Sequence, residues 1–249
     1  GIEAAITLAK RNHDVSLCEK TENLGGQWLI ASHGTDKVDY RTLLPYKRQQ
    51  LVDAGVQVNL STTVDRKYLE EVKPEAVVIA TGAVPKIIPI GRSEYQFNVV
   101  QGNDVIMGTA EVGEKVVVIG GRFIGMEAAT ILASQGKHVS LVDMAEIGQN
   151  CNPRLGGVYR NRLVESGVYL YSACPVRRFT KDGVEITHMH LPLRLKADTV
   201  VFAIGTVPQN SLKDVLDEMG IFHVEVGDCK RIGDALLAIR DGAEIGRLL

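Results

Sequence analysis

The sequence predicts an α/β fold assembled from a duplicated unit, and three observations carry that expectation. The opening stretch "GIEAAITLAKRNHDVSLCEK" recurs as "GMEAATILASQGKHVSLVDM" from Gly125, at an offset of 124 residues. At that offset Glu3 falls on Glu127, Ala4 and Ala5 on Ala128 and Ala129, Val15 to Leu17 on Val139 to Leu141, and acidic Glu19 on acidic Asp143. Two copies of one unit are therefore present. Each copy carries apolar residues at helical spacing, a short polar break, then a β-branched apolar run that ends in a carboxylate. In the second copy an apolar β run, Lys115 to Ile119, precedes the helix, with Gly120, Gly121 and Gly125 between them. That order is strand, glycine turn, helix, strand.

Taken in order, the first helix and strand cover the opening repeat, with Arg11 to Asp14 as the break. The segments "PEAVVIATGAVP" and "DTVVFAIGTVPQN" form a second echo, each a buried strand running into glycine, Val77 to Gly82 and Val200 to Gly205. Asp182-Gly183 marks a hairpin turn. If "GVEITHMHL" is one strand, His188 and His190 share a face; that suggests either a metal pair or a solvated strand face, and the second is preferred. Cys229 reads as a small residue packed at a strand end rather than a redox thiol, and Trp28 as a packing residue or a ring stacked on a ligand. Glu3 and Glu127 favour the first turn of each helix through its dipole.

Composition narrows the class. With 45% hydrophobic residues in 249, the chain can bury one large core or two modest ones. Lys and Arg (28) nearly balance Asp and Glu (30) and no basic block stands out, which argues against nucleic acid as a partner. Apolar runs such as "KVVVIGG" are far shorter than the ~20 residues of a membrane span. The four cysteines are widely spaced, which fits reduced thiols and a cytoplasmic location.

The second unit has the chemistry of a dinucleotide site. A pyrophosphate needs backbone N–H donors and the positive end of a helix dipole, and glycines allow close approach. Asp143, 23 residues beyond Gly120, stands where a carboxylate accepts hydrogen bonds from an adenosine ribose. The motif G-x-G-x-x-G is altered to Gly120-Gly121-Arg122-Phe123-Ile124-Gly125, so Arg122 takes the middle glycine position. Its side chain either crowds the pyrophosphate or pairs with a phosphate. Because Gly1 corresponds to Gly125, the chain is expected to be an amino-terminally truncated fragment. Its first strand and first two glycines would lie upstream, and the nucleotide of that unit would be held poorly.

With "CEKTENLGGQ", "ATGAVP", "VVVIGGRFIGMEAA", "VSLVDM" and "VGDC", the chain resembles the two-dinucleotide-binding-domain flavoproteins over essentially its whole length. It is most similar to the carboxy-terminal half of the 2,4-dienoyl-CoA reductase, 2-enoate reductase and trimethylamine dehydrogenase group. The resemblance implies two Rossmann-like domains, the second inserted in the first: an FAD-binding domain over residues 1–110 and 209–249, and an NAD(P)H-binding domain over 111–208. It implies that Gly1, Glu19, Lys20, Gly26 and Gln27 border the FAD, with Glu19 on its adenosine ribose. Ala80, Thr81 and Gly82 would pass beside the same cofactor, and Gly227 and Asp228 would place a carboxylate on its ribityl chain. Gly120, Gly121, Arg122, Ile124, Gly125, Asp143 and Gly205 would hold the nicotinamide nucleotide.

The activity so implied is electron transfer from NADH through FAD towards an enoyl or dienoyl substrate. In the group, FMN and an iron–sulfur cluster belong to an amino-terminal barrel, the expected missing partner domain. Four scattered cysteines cannot ligate such a cluster. No close cysteine pair lies near Glu19 to Gly26, which argues against the related disulfide reductases. Asp143 and the absence of Arg or Lys in "DMAEIGQN" favour NADH over NADPH. A homo-oligomer is compatible with the sequence, and the alternative function is a nucleotide-binding structural domain without turnover.

Overall fold

The computed structural model describes residues 1–35, 37–88, 95–149, 151 and 153–249, with the side chains of 153–155 left aside. The chain forms two compact units. One gathers Gly1–Ser32, Lys37–Val84 and Thr206–Leu249; the other, inserted in it, gathers His33–Asp36 and Pro85–Gly205. The segment 85–110, grouped with the first domain on sequence, contributes a strand and a helix to the inserted unit.

The inserted unit is built on a five-stranded sheet. Its strands are β5 (Asn98–Gln101), β6 (Lys115–Ile119), β7 (His138–Val142), β8 (Tyr169–Tyr171) and β12 (Thr199–Phe202), in the order β5-β12-β6-β7-β8. All are parallel, with Val118 opposite Leu141 and Val201 opposite Val118. A parallel strand is covered on both faces, so it reads as a continuous apolar run. Accordingly Val116 to Val118 are at most 1% exposed. Helices α5 (Gly102–Met107), α6 (Phe123–Ser134) and α7 (Pro153–Glu165) pack in series, α5 on α6 and α6 on α7.

An antiparallel meander of β9 (Val176–Thr180), β10 (Gly183–His188) and β11 (Leu191–Lys196) also belongs to this unit. Val184, Ile186 and Leu195 share one apolar cluster with Val117, Ile119 and Phe202 of the sheet. The hairpin turn forms one residue earlier than expected: Lys181 and Asp182 make the loop, and Gly183, at φ 154°, is already the first residue of β10, paired with Thr180. "GVEITHMHL" is not one strand: β10 ends at His188, and the next turn places Met189 (φ 48°) and His190 (φ 65°) in the left-handed region. His188 and His190 therefore do not share a strand face. His188 is half-buried, its Nδ1 3.4 Å from Cys174 Sγ and its ring edge-on to Tyr171.

The first unit contains α1 (Ile2–Ala9), β1 (Ser16–Cys18), α2 (Gly26–Ser32), α3 (Tyr40–Asp53), β2 (Gln57–Asn59), α4 (Arg66–Val72) and β3 (Ala76–Ile79). After the insertion come β13 (Thr206–Pro208), paired with β4 (Ala83–Pro85), then α8 (Leu212–Met219), β14 (Phe222–Glu225) and α9 (Ala235–Leu248). Strands β1 and β2 pair in parallel, as do β3 and β14, but the two pairs are separate sheets among the described residues. Helices α1 and α9 pack closely because Gly246 has no side chain; a Cβ there would lie 2.6 Å from Thr7 Cβ. No helix among the described residues is long and apolar enough to cross a membrane.

Candidate dinucleotide sites

The loop between β6 and α6 is the best-formed candidate. Gly120 leaves the strand at φ 113°, a conformation that L side chains rarely adopt, and a Cβ there would meet the Ala203 carbonyl oxygen at 2.3 Å. Gly125 lets the first turn of α6 press onto the loop: a Cβ would lie 1.7 Å from Gly120 O. Strands β6 and β12 are neighbours in the sheet and both end here: the chain continues from β6 through α6 to β7, and Ala203, just after β12, lies against Gly120. Open parallel sheets take their ligands in the crevice at the carboxyl ends of their strands.

Arg122 is the N-cap of α6, with extended backbone (φ −91°, ψ −171°) and no side-chain cap. Its side chain is exposed. The early N–H groups of α6, Ile124 among them, have no intrahelical acceptor and point the positive end of the dipole into the crevice. Cys151 is buried close by; burial pushes its thiol up, while Arg122 and the Phe123 N–H pull the other way. This neighbour was not foreseen, because 29 residues separate it from Arg122 in the sequence.

Asp143 directly follows β7 at the rim of the same crevice. One carboxylate oxygen accepts the Gly121 N–H at 2.5 Å, the other the Ala145 N–H at 2.8 Å. These bonds hold the carboxylate against the glycine turn, and each oxygen keeps a free lone-pair direction. Beyond it Glu146 pairs with Arg160 of α7 at 3.3 Å, bringing to the rim a cation that "DMAEIGQN" does not contain. Gly205, at φ 93°, accepts the Lys86 N–H through its carbonyl. Glu127 is buried on α6, and Gly34 abuts its carboxylate.

In the first unit Gly1 precedes α1, and a Cβ there would meet Ala80 at 3.3 Å, so these two expected site residues lie together. Glu19 follows β1, half-buried, its Oε1 accepting the Thr21 N–H at 2.8 Å and the Thr21 hydroxyl at 2.9 Å. Lys20 and Gln27 are exposed, and Gly26 opens α2 at φ 48°. Thr81 donates its hydroxyl to Gln209 O, and Gly82 O accepts the Gln209 N–H. Gly227 (φ 67°) donates its N–H to Asp241 of α9, a partner 14 residues away that sequence inspection missed. Asp228 Oδ1 accepts the Gly233 N–H, which holds the following turn.

Other readings resolve as packing. Cys229, 1% exposed, donates its thiol towards Ile79 O and Val226 O. Trp28 stacks on Tyr40 at 4.5 Å and donates its indole N–H to Tyr40 O. Glu3 pairs with Lys47 rather than serving the helix dipole alone. No group of three metal-ligating side chains occurs among the described residues, and the four cysteines are free thiols.

The donors and shapes at the β6–α6 turn fit a dinucleotide: a glycine turn that a Cβ would block, a helix start with no side-chain cap, and a carboxylate fixed at the rim. Comparison with known proteins agrees. The chain is 32% identical over 251 residues to an NADH oxidase of Thermoanaerobacter brockii, an alignment covering 98% of this chain and 39% of that protein. It is 29% identical over 259 residues to a cinnamate reductase of Clostridium sporogenes, covering 99% of this chain and 37% of the relative. A solved complex of 2-naphthoyl-CoA reductase with 2-naphthoyl-CoA superposes with a TM-score of 0.90 at 26% identity, over 98% of this chain and 37% of that one. The chain thus spans about two fifths of the length of these relatives. Residues 1–229 match the pyridine nucleotide-disulphide oxidoreductase family, FAD- and NAD(P)H-dependent oxidoreductases, and with these alignments the chain belongs to that family.

Proposed function

We propose that this chain is the electron-transfer module of a flavin-dependent oxidoreductase. Hydride passes from NADH, in preference to NADPH, to FAD, for reduction of an enoyl or dienoyl substrate in a separate barrel domain carrying FMN and an iron–sulfur cluster. The observation that carries this reading is the β6–α6 turn, where Gly120, Gly125 and the uncapped start of α6 form an anion cradle with Asp143 fixed beside it. FAD, when bound, supplies a two-electron acceptor that can pass electrons on singly.

The residues divide the work by unit. In the inserted unit the N–H groups of Arg122 to Gly125 receive the nicotinamide nucleotide's pyrophosphate, and the exposed Arg122 guanidinium adds a positive charge there. Asp143 accepts from the adenosine ribose and repels a 2′-phosphate. In the first unit Glu19 takes the adenosine ribose of FAD, Gly1, Gly26 and Gln27 border its phosphates, and Asp228 faces its ribityl chain. Ala80 to Gly82 and Lys20 line the same cofactor. The domains on this reading are the FAD-binding first unit and the NAD(P)H-binding insertion, in a cytoplasmic protein.

Anaerobic titration of the flavin-loaded protein with NADH tests the reading. Bleaching of the flavin absorbance at micromolar NADH is expected; bound flavin that NADH leaves oxidised would favour a nucleotide-binding domain without turnover.

A further inference from the structure

The β9–β11 meander carries none of the residues proposed for either dinucleotide site. On its inner face Val184, Ile186 and Leu195 are buried against the five-stranded sheet, so alternation turns Glu185, Arg194 and Lys196 outward. Across the strands Arg178, Glu185 and Arg194 form one row: Arg178 meets Glu185 at 3.0 Å, and Arg194 meets it at 4.0 Å. Arg177 is the extra residue of a bulge opposite Glu185, and it lines the same shallow cavity of about 440 Å³ as Arg178, Glu185 and Pro192. Arg177, Arg178 and Arg194 thus stand around Glu185, which is only 8% exposed, and Lys196 lies two residues along β11 on the same face, in a chain whose net charge is −2.

The end of the meander adds a second, independent feature. The turn after β10 places Met189 and His190 at positive φ, where Asn and Gly are the usual occupants. Met189 is 79% exposed and Leu191 68%. A strained turn that holds apolar side chains in water, at the edge of a cationic platform, is a costly arrangement for a surface with no ligand.

We propose that this face docks a separate acidic partner protein, with Met189 and Leu191 entering an apolar spot and Arg177, Arg194 and Lys196 facing its carboxylates. A separate partner fits better than a permanently attached domain, because permanent interfaces are mostly apolar whereas exposed charges act chiefly on encounter rate and selectivity. Glu185, central in the row, disfavours a uniformly anionic ligand such as a polyphosphate.

The test uses the 249-residue chain and a fluorescein-labelled acidic peptide containing leucines, read by anisotropy at low salt and at ~0.15 M salt. Saturable binding that weakens about tenfold or more between those salts is expected, as is a similar loss in Arg194→Gln/Lys196→Gln. Met189→Asn/His190→Gly, which suits the turn better, should keep or raise the melting temperature and still weaken binding. No binding at low salt, binding unchanged in both variants, or equal displacement by inorganic polyphosphate and by unlabelled peptide would overturn the proposal.

Discussion

The two units share one repeated plan, and their described strands assemble differently. In the inserted unit β6 hydrogen-bonds to β7 on one side and β12 on the other, giving a single sheet of five strands. In the first unit the matching strands β1 and β3 belong to separate pairs, and no described strand bonds to both. Burial follows the same division: Leu141 and Val142 of β7 are fully buried, whereas the corresponding Leu17 and Cys18 of β1 are only half-buried. The repeated carboxylates differ as well. Asp143 is held by the N–H groups of Gly121 and Ala145, while Glu19, among the described residues, is held by its neighbour Thr21. In the inserted unit the strand that runs into the glycine turn joins β7 to β12, and the turn's Gly121 N–H gives Asp143 a backbone donor.

Substitutions in the core of the inserted unit should sharpen the contrast most. Gly125→Ala forces a methyl onto the Gly120 carbonyl, and no rotamer relieves it, so a loss of about 3 kcal/mol or more is expected in urea unfolding. A loss under about 1 kcal/mol would mean that the turn is far softer than described. Next, Leu141→Ala should cost about 2–5 kcal/mol. The equivalent Leu17→Ala should cost distinctly less, since that side chain already meets water; equal losses would erase the comparison between the units.

Smaller effects follow from polar contacts. Asp143→Ala leaves the Gly121 and Ala145 N–H groups without their acceptor, for about 1–3 kcal/mol, whereas Glu19→Ala removes contacts at an exposed turn and should fall below that. Arg178 beside Glu185 holds that carboxyl below the usual carboxylate range. Its contribution is therefore complete above the ordinary carboxylate pKa and is lost as pH falls through the depressed value. Acid unfolding of Glu185→Gln should accordingly be less steep than that of the parent chain, and identical profiles would remove the pair from the balance. Least of all, burial pushes the Cys174 thiol up, so alkylation at neutral pH should reach it only after the half-buried Cys18.

Much of this was legible in the sequence where local chemistry dictates geometry. The apolar run Lys115 to Ile119 could only be a strand covered on both faces, and the glycines after it mark a backbone that must pass close to something. Legibility ended where structure depends on partners distant in the chain. Nothing near Gly227 announces Asp241, and Arg160 reaches Glu146 only because α7 folds back over the loop. The turn at Met189 and His190 was hidden for another reason: these residues rarely adopt positive φ, so "THMHL" resembles an uninterrupted strand. With it went the environment of His188, which packs on Cys174 and Tyr171.

The central claim is that the two carboxylates serve two different nucleotides. Calorimetric titration of NADH and of FAD into the parent chain, Asp143→Ala and Glu19→Ala tests it directly, with unfolding curves confirming that each variant is folded. On this account Asp143→Ala weakens NADH about tenfold or more, the loss of a charge-assisted pair of hydrogen bonds, and leaves FAD nearly unchanged, with Glu19→Ala doing the reverse. Equal loss of both nucleotides in either folded variant would contradict it.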